Sequence, residues 1–390
     1  MSKDPFVEIQ NLNESEGATS AIEKLMETLS EQKQFHKLFD ATLMKKKFEM
    51  GLPVTHSTSF NDVPEERLDE FEKSYIEAAR RIGKSFLSDG KIGDAWLYFR
   101  TIRETEPIKQ AIEKINSRRD ADDDTEQIIN IALYEGAHPV KGLEMMLNSH
   151  GTCNTITALD QQLPQLSPEN RDQAAVLLVR HLYDDLCDIL RHEVKQRLAI
   201  VPPGESLNAL IAGRDWLFEE GNYHIDVSHL SSVVRFARSL DGSRPELAQA
   251  IELTNYGSRL DKQFQYPSDP PFDDFYPAHS HFFNALAGQN QDEAIAYFQQ
   301  KLNKQPDQAD KQLIAYVMVD LLTRINRLDE SLELAETYLN DVEDADGFSF
   351  AALCMQTGRM DTLQRVSREK GDLVSYTAAL IQTESHAVSE

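Results

Sequence analysis

Apolar residues recur every three or four positions along most of this 390-residue chain, the spacing that places them on one face of an α-helix. Between residues 20 and 50, Ile22, Leu25, Met26, Leu29, Phe35, Leu38, Phe39 and Leu43 keep that spacing, until Gly51-Leu52-Pro53 ends the run. Pro64-Glu65-Glu66 opens the next helix, with proline near the first turn and carboxylates beside the positive helix end. Ile76, Ala79, Ile82 and Phe86 continue its face, and Ser88-Asp89-Gly90 breaks it. A partner helix over about 94–103 carries Ala95, Trp96, Tyr98, Phe99 and Ile102. Ser167-Pro168-Glu169 pairs a capping serine with a proline just inside, and predicts the longest helix, about 168–198. Further helices are predicted over 207–218 and from about Val227. From 279 to 381 helices alternate with turns near Gly288, Asn326 and Gly358. No segment has the period-two alternation of a sheet strand, so the predicted fold class is all-α.

The breaks between periodic segments divide the chain. A polar stretch over 1–18 reads as a loose tail and 19–117 as N-terminal helical hairpins. Residues 118–262 read as a central helical region with histidine-rich turns, and 263–277 as a loop dense in proline and aromatic residues. Residues 278–383 read as C-terminal helix pairs, followed by a second tail over 384–390.

Two distant segments share a pattern. Ala95-x-x-Tyr98-Phe99 and Ala294-x-x-Tyr297-Phe298 each have a proline twelve residues after the alanine, Pro107 and Pro306. Each follows a turn glycine, Gly90 or Gly288, with an aspartate four residues after it, Asp94 or Asp292. A small residue lets two helices approach closely, and an aromatic pair fills the space beside the crossing. Asp329-Glu330-Ser331-Leu332 parallels Asp292-Glu293-Ala294-Ile295, and Asp361-Thr362-Leu363 comes just after Gly358. These spacings bracket the roughly 34-residue period of tetratricopeptide units. At these residues the chain resembles the tetratricopeptide-like superfamily of helix-turn-helix repeats, over 278–383 and again over 72–107, without the tryptophan-leucine-glycine part of that consensus. The resemblance implies an α-α superhelix, a solenoid of antiparallel helix pairs whose concave face binds a protein or peptide.

Charge narrows the partners. The 40 Lys and Arg against 65 Asp and Glu give a formal net charge of -25, a field that disfavours nucleic acid and anionic membranes. Basic partners are favoured, although acidity also serves solubility alone. Three widely spaced cysteines, Cys153, Cys187 and Cys354, point to free, buried thiols in a reducing compartment. No signal pattern opens the chain and no apolar run approaches the roughly 20 residues of a membrane span, so a cytoplasmic location is expected.

The candidate chemistry lies in the central region. His224, Asp226 and His229 form the one compact His-x-Asp-x-x-His spacing, and two imidazoles with a carboxylate could occupy three positions on a divalent metal. Asp226 could equally serve as an N-cap, an ordinary role for an aspartate just before an apolar helix. His150 and His138 are further candidate ligands, but a helix between them would hold them roughly 18 Å apart. Tyr266, Phe272, Phe275 and Tyr276 of the proline-aromatic loop are candidate partner contacts. The sequence therefore supports a helical-repeat interaction scaffold. The alternative is a metal-dependent enzyme, for instance a hydrolase, built on the His/Asp group.

Overall fold

The computed structural model describes residues 4–117, 122–197, 206–265, 268–340, 342 and 348–387. Among these the fold is all-α, with helices joined by short turns and no β-strand. No described helix is long and apolar enough to cross a membrane. The chain forms two compact units, Met1–Thr155 and Ile156–Glu390. The division falls inside the expected central region 118–262, so that region belongs to no single unit.

In the first unit the helices are α1 (Pro5–Ser15), α2 (Ala18–Glu31), α3 (Phe35–Glu49), α4 (Leu68–Ser88), α5 (Ile92–Thr101), α6 (Glu106–Glu113) and α7 (Asp123–Ile129). Then α8 (Pro139–Gln162) runs to the boundary and beyond it, with Gly151 breaking the helical path at φ 80°. Neighbours in sequence pack on one another from α1 to α6. Residues 5–15 are thus a helix and not a loose tail: Asp4 caps them by accepting the Phe6 N–H, and α1 packs on α2. The apolar run over 20–50 is two helices, parted at Lys33, whose φ is 52°. Phe71, Ile82, Phe99, Ile108 and Ile112 make a fully buried core.

The second unit contains α9 (Pro168–Arg197), α10 (Leu207–Ile211), α11 (Val227–Phe236), α12 (Glu246–Ser258), α13 (Phe275–Leu286), α14 (Gln291–Lys304), α15 (Gln308–Arg324), α16 (Leu328–Tyr338), α17 (Phe350–Gln356), α18 (Met360–Lys370) and α19 (Leu373–Ala387). The 30-residue α9 begins where Ser167-Pro168 predicts, and its flank carries α10, α11 and α12. From α12 to α19 each helix packs on the next. The helix expected over 207–218 stops at Ile211, and tighter turns follow over Asp215–Gly221. Residues 384–387, expected in a terminal tail, continue α19. Close approach at the α12–α13 crossing depends on Gly257, where a Cβ would sit 2.2 Å from the Tyr276 ring.

One form of helix stop recurs among the described residues, at the turns of the sequence pattern and also at Lys33, Gly51, Arg103 and Gly371. Gly90, Gly288, Asn326 and Gly358 each end a helix with φ between 62° and 77°. In each case the next residue sends its N–H back five positions: Lys91 to Phe86 O, Gln289 to Asn284 O, Arg327 to Leu322 O and Arg359 to Cys354 O. This is the six-to-one bond of a helix stop that uses a left-handed residue, which glycine and asparagine tolerate best. The following helices bury equivalent pairs four residues apart: Ala95 with Phe99, Ala294 with Phe298, Ser331 with Ala335, and Leu363 with Ser367. The tyrosines of the two fuller copies both stack on a histidine, Tyr98 on His36 and Tyr297 on His281. Asp94 and Asp292 lie in the first turns of α5 and α14 and are not N-caps.

Cys187 and Cys354 form no disulfide. Cys187 and Cys354 are buried, which pushes both thiols up to about 11, whereas Cys153 is exposed.

Candidate functional site

Three of the sequence-derived histidines, His138, His150 and His224, take separate local partners. In the first unit, His138 Nε2 lies 2.7 Å from Glu113 Oε2. His150 Nε2 lies 2.7 Å from Glu126 Oε1, and its Nδ1 lies 2.7 Å from Ser149 Oγ. In the second unit the His224 side chain is buried. Its Nε2 lies 2.9 Å from Glu193 Oε2, off the hydrogen-bond direction, and its Nδ1 is 3.0 Å from the Tyr256 hydroxyl. Burial lowers the His224 pKa, against the pull of the Glu193 carboxylate.

Asp226 occupies the N-cap of α11, where Oδ1 accepts the backbone N–H of Ser228 at 2.8 Å and of His229 at 3.3 Å. The Ser228 hydroxyl also donates to it, and these bonds hold its carboxyl below the usual range. The cap therefore engages this carboxylate. Among the described residues no group of three or more His, Cys, Asp or Glu is placed to hold one metal ion. Asp226→Ala is expected to cost about 1 kcal/mol of stability through the lost cap. A urea titration measures this, and an unchanged midpoint would mean that the cap contributes nothing.

Phe272, Phe275 and Tyr276 are buried and cannot serve as an exposed contact surface. Alternating packing explains it: Phe272 stacks on His279 with centroids 4.1 Å apart, and Tyr276 fills the space above Gly257. Tyr266, the fourth candidate contact, lies outside the described residues.

What the second unit does gather is arginine. A cavity of about 800 Å³ opens between the start of α9, the turn from α11 to α12, and helices α13 and α15. Arg171, Arg235, Arg238, Arg244 and Arg324 line it, with Glu169, Asp172, Asp241 and Asp320 among them. Four of the five guanidinium groups have definite work. Arg244 makes a paired contact with Asp172, whose other oxygen accepts the Asp241 N–H at 2.8 Å. Arg235 is held by both oxygens of Asp160, at 2.7 and 3.0 Å. Arg171 donates to the carbonyls of Leu163 and Pro164. Arg324 donates to the carbonyls of Arg238 and Leu240, which fixes the turn that carries Arg238.

Arg238 differs. Its Nε makes a long bond to Arg235 O, 3.3 Å, and its guanidinium lies 4.8 Å over the Phe272 ring. Among the described residues no carboxylate pairs with it. Burial, then the neighbouring Arg235, push its pKa down to about 10, so it stays charged at neutral pH in a place that disfavours the charge. Beneath it His279 is buried, with Nδ1 donating to Phe275 O at 2.7 Å and Nε2 without a hydrogen-bond partner. Burial and the two nearby arginines push the His279 pKa down to about 3.

Sequence reasoning about histidines passed over these residues. One local signal was present: 235–244 carries three arginines against a single aspartate, in a chain dominated by acid. The other walls come from about 163–172 and 316–324, which no local pattern ties to it.

A second, shallower groove of about 260 Å³ crosses α14, α15 and α16. Ile295, Met318, Leu322 and Leu334 give it an apolar floor, and Glu330 and Glu333 an acidic edge.

Comparison with protein-family models, with curated proteins and with solved structures finds no match.

Proposed function

We propose that this protein is a tetratricopeptide-like interaction scaffold that binds a protein or peptide partner. The observation that carries this reading is the recurrence, among the described residues, of one helix-stop geometry followed by a buried pair four residues apart, at α3, α5, α6, α14, α16 and α18. Stacked units of this kind leave a continuous surface of parallel helices, the usual docking ground of repeat proteins. The groove across α14, α15 and α16 is the contact site this reading favours. Its apolar floor suits aliphatic side chains, and its acidic edge, where Glu333 stands beside Glu330 and the Arg327 that Glu330 holds, suits Lys or Arg, in keeping with a chain of net charge -25. The partner is accordingly a basic, partly apolar segment.

Panning a displayed random-peptide library on the full chain tests this. Enriched sequences are expected to combine basic and aliphatic residues. The double variant Glu330→Lys/Glu333→Lys is expected to weaken them about tenfold or more, mainly at low salt. Failure to enrich any sequence, or equal binding by the charge-reversed variant, overturns the assignment.

A further inference from the structure

The arginine-lined cavity of the second unit lies outside the proposed peptide groove and has different chemistry. We propose that it binds a monoanionic, amphipathic small molecule whose oxyanion head pairs with Arg238 and whose apolar body lies against Phe282, Tyr316 and Val317.

Three observations carry this. First, the cavity is of ligand size: about 800 Å³ falls within the range of small-molecule sites, and its wall is mostly charged, with Phe282, Tyr316 and Val317 as an apolar patch. Secondly, the Arg238 guanidinium faces it with no carboxylate at ion-pair distance among the described residues and a single long bond, Nε to Arg235 O at 3.3 Å, whereas the other lining arginines are held by shorter bonds to carboxylates or carbonyls. A partly buried charge with no counter-ion is disfavoured, and a ligand oxyanion relieves that while matching the planar fork of two N–H donors. Arg324 holds the Arg238 carbonyl at 2.6 Å, and Phe272 lies beneath the guanidinium, so the donor is positioned before any ligand arrives. Thirdly, the pairing around the cavity limits the ligand's charge. Asp160, Asp172 and Asp320 take Arg235, Arg244 and Arg324, and Arg171 is held by carbonyls, so Arg238 is the lining guanidinium left for a ligand, while five arginines in all balance five carboxylates. A second negative charge would meet Glu169 and Asp241 in a cavity with no further free cation to offset it. A carboxylate or another singly charged oxyanion fits, and a phosphate dianion does not.

The test uses 1-naphthoate as the probe, with 1-naphthamide as its neutral counterpart and 1-naphthyl phosphate as a dianion, titrated calorimetrically into the full chain at pH 8. The carboxylate is expected to bind about tenfold or more tightly than the amide, the difference made by one charged hydrogen-bonded pair. Naphthyl phosphate is expected to bind more weakly than naphthoate. Arg238→Gln is expected to erase the preference for the carboxylate over the amide, and Arg238→Lys, which keeps the charge without the fork, to retain part of it. Circular dichroism establishes that each variant is folded. If Arg238→Gln does not fold, the three probes on the unaltered chain and on Arg238→Lys decide the matter. Absence of naphthoate binding, equal binding of the amide, or an unchanged preference in folded Arg238→Gln overturns the proposal. Tighter binding of the phosphate overturns the assignment of a single charge.

Discussion

Phe99→Ala and Phe298→Ala are each expected to lower the unfolding free energy by about 3–5 kcal/mol, the usual cost of emptying a buried phenylalanine site. Both rings are fully buried at the same position of the repeated pattern, four residues after a buried alanine. The Phe99 ring lies against the Gly83 backbone, where a Cβ would come within 2.6 Å of it, so truncation opens a space that a glycine cannot fill. Phe298 packs edge-on to Phe272 and Tyr297, which are held by His279 and His281 stacking. Leu97→Ala serves as the contrast: Leu97 is on the same helix as Phe99 but 49% exposed, and its loss should stay within about 0.5 kcal/mol. Urea titrations give the three values. Amide exchange should quicken in α4 and α5 for the first variant, and in α13 and α14 for the second. Losses below about 1 kcal/mol for both phenylalanines would remove the packing role assigned to the repeated pattern.

His279→Phe is expected to make the protein markedly less sensitive to acid. His279 is neutral in the folded state because burial and the charges of Arg238 and Arg235 push its pKa down to about 3, against an ordinary value near 6.5. Below pH 6.5 the unfolded chain binds a proton there that the folded chain refuses. The stability associated with the neutral ring is therefore complete above about pH 6.5 and is lost progressively as pH falls toward 3. The loss is about 1.4 kcal/mol per pH unit in that window, or about 2 kcal/mol between pH 8 and pH 5. Phenylalanine keeps a ring against Phe272, and any repacking cost it carries is the same at both pH values. The readout is the difference between the pH 8 and pH 5 unfolding free energies, which should shrink by about 2 kcal/mol in the variant. An identical difference in both proteins would mean that His279 does not titrate as its surroundings imply. The buried His224 contributes equally to both proteins and cancels.

Much of the local structure was legible in the chain. Ser167-Pro168 marks the start of α9 because a proline at the first helical position has no N–H to leave unsatisfied. Asp226 before Val227 marks the start of α11 because its carboxylate meets the free amides there. Gly90, Gly288, Asn326 and Gly358 mark helix stops because few other residues adopt a positive φ at low cost. The limits of this local reading are equally physical. Residues 5–15 read as a tail because they bury nothing completely, and their helix rests on the Asp4 cap and on packing against α2. The aromatic residues of 272–276 read as exposed contacts because loop context hides which side chains turn inward.

For the candidate site the boundary is sharper. Residues 220–240 draw attention through His224, Asp226 and His229, yet the cap takes the aspartate, and Glu193 and Tyr256 face His224. The same stretch contributes Arg235 and Arg238 to the cavity, where Asp160 takes the first and the second keeps its free donors. The sequence alone determined the helical class, several helix ends and the repeated pattern, since these depend on residues a few positions apart and on backbone sterics. Only the tertiary structure decided which side chains are paired and which are left facing open space, since burial and ion pairing are settled by residues dozens of positions away.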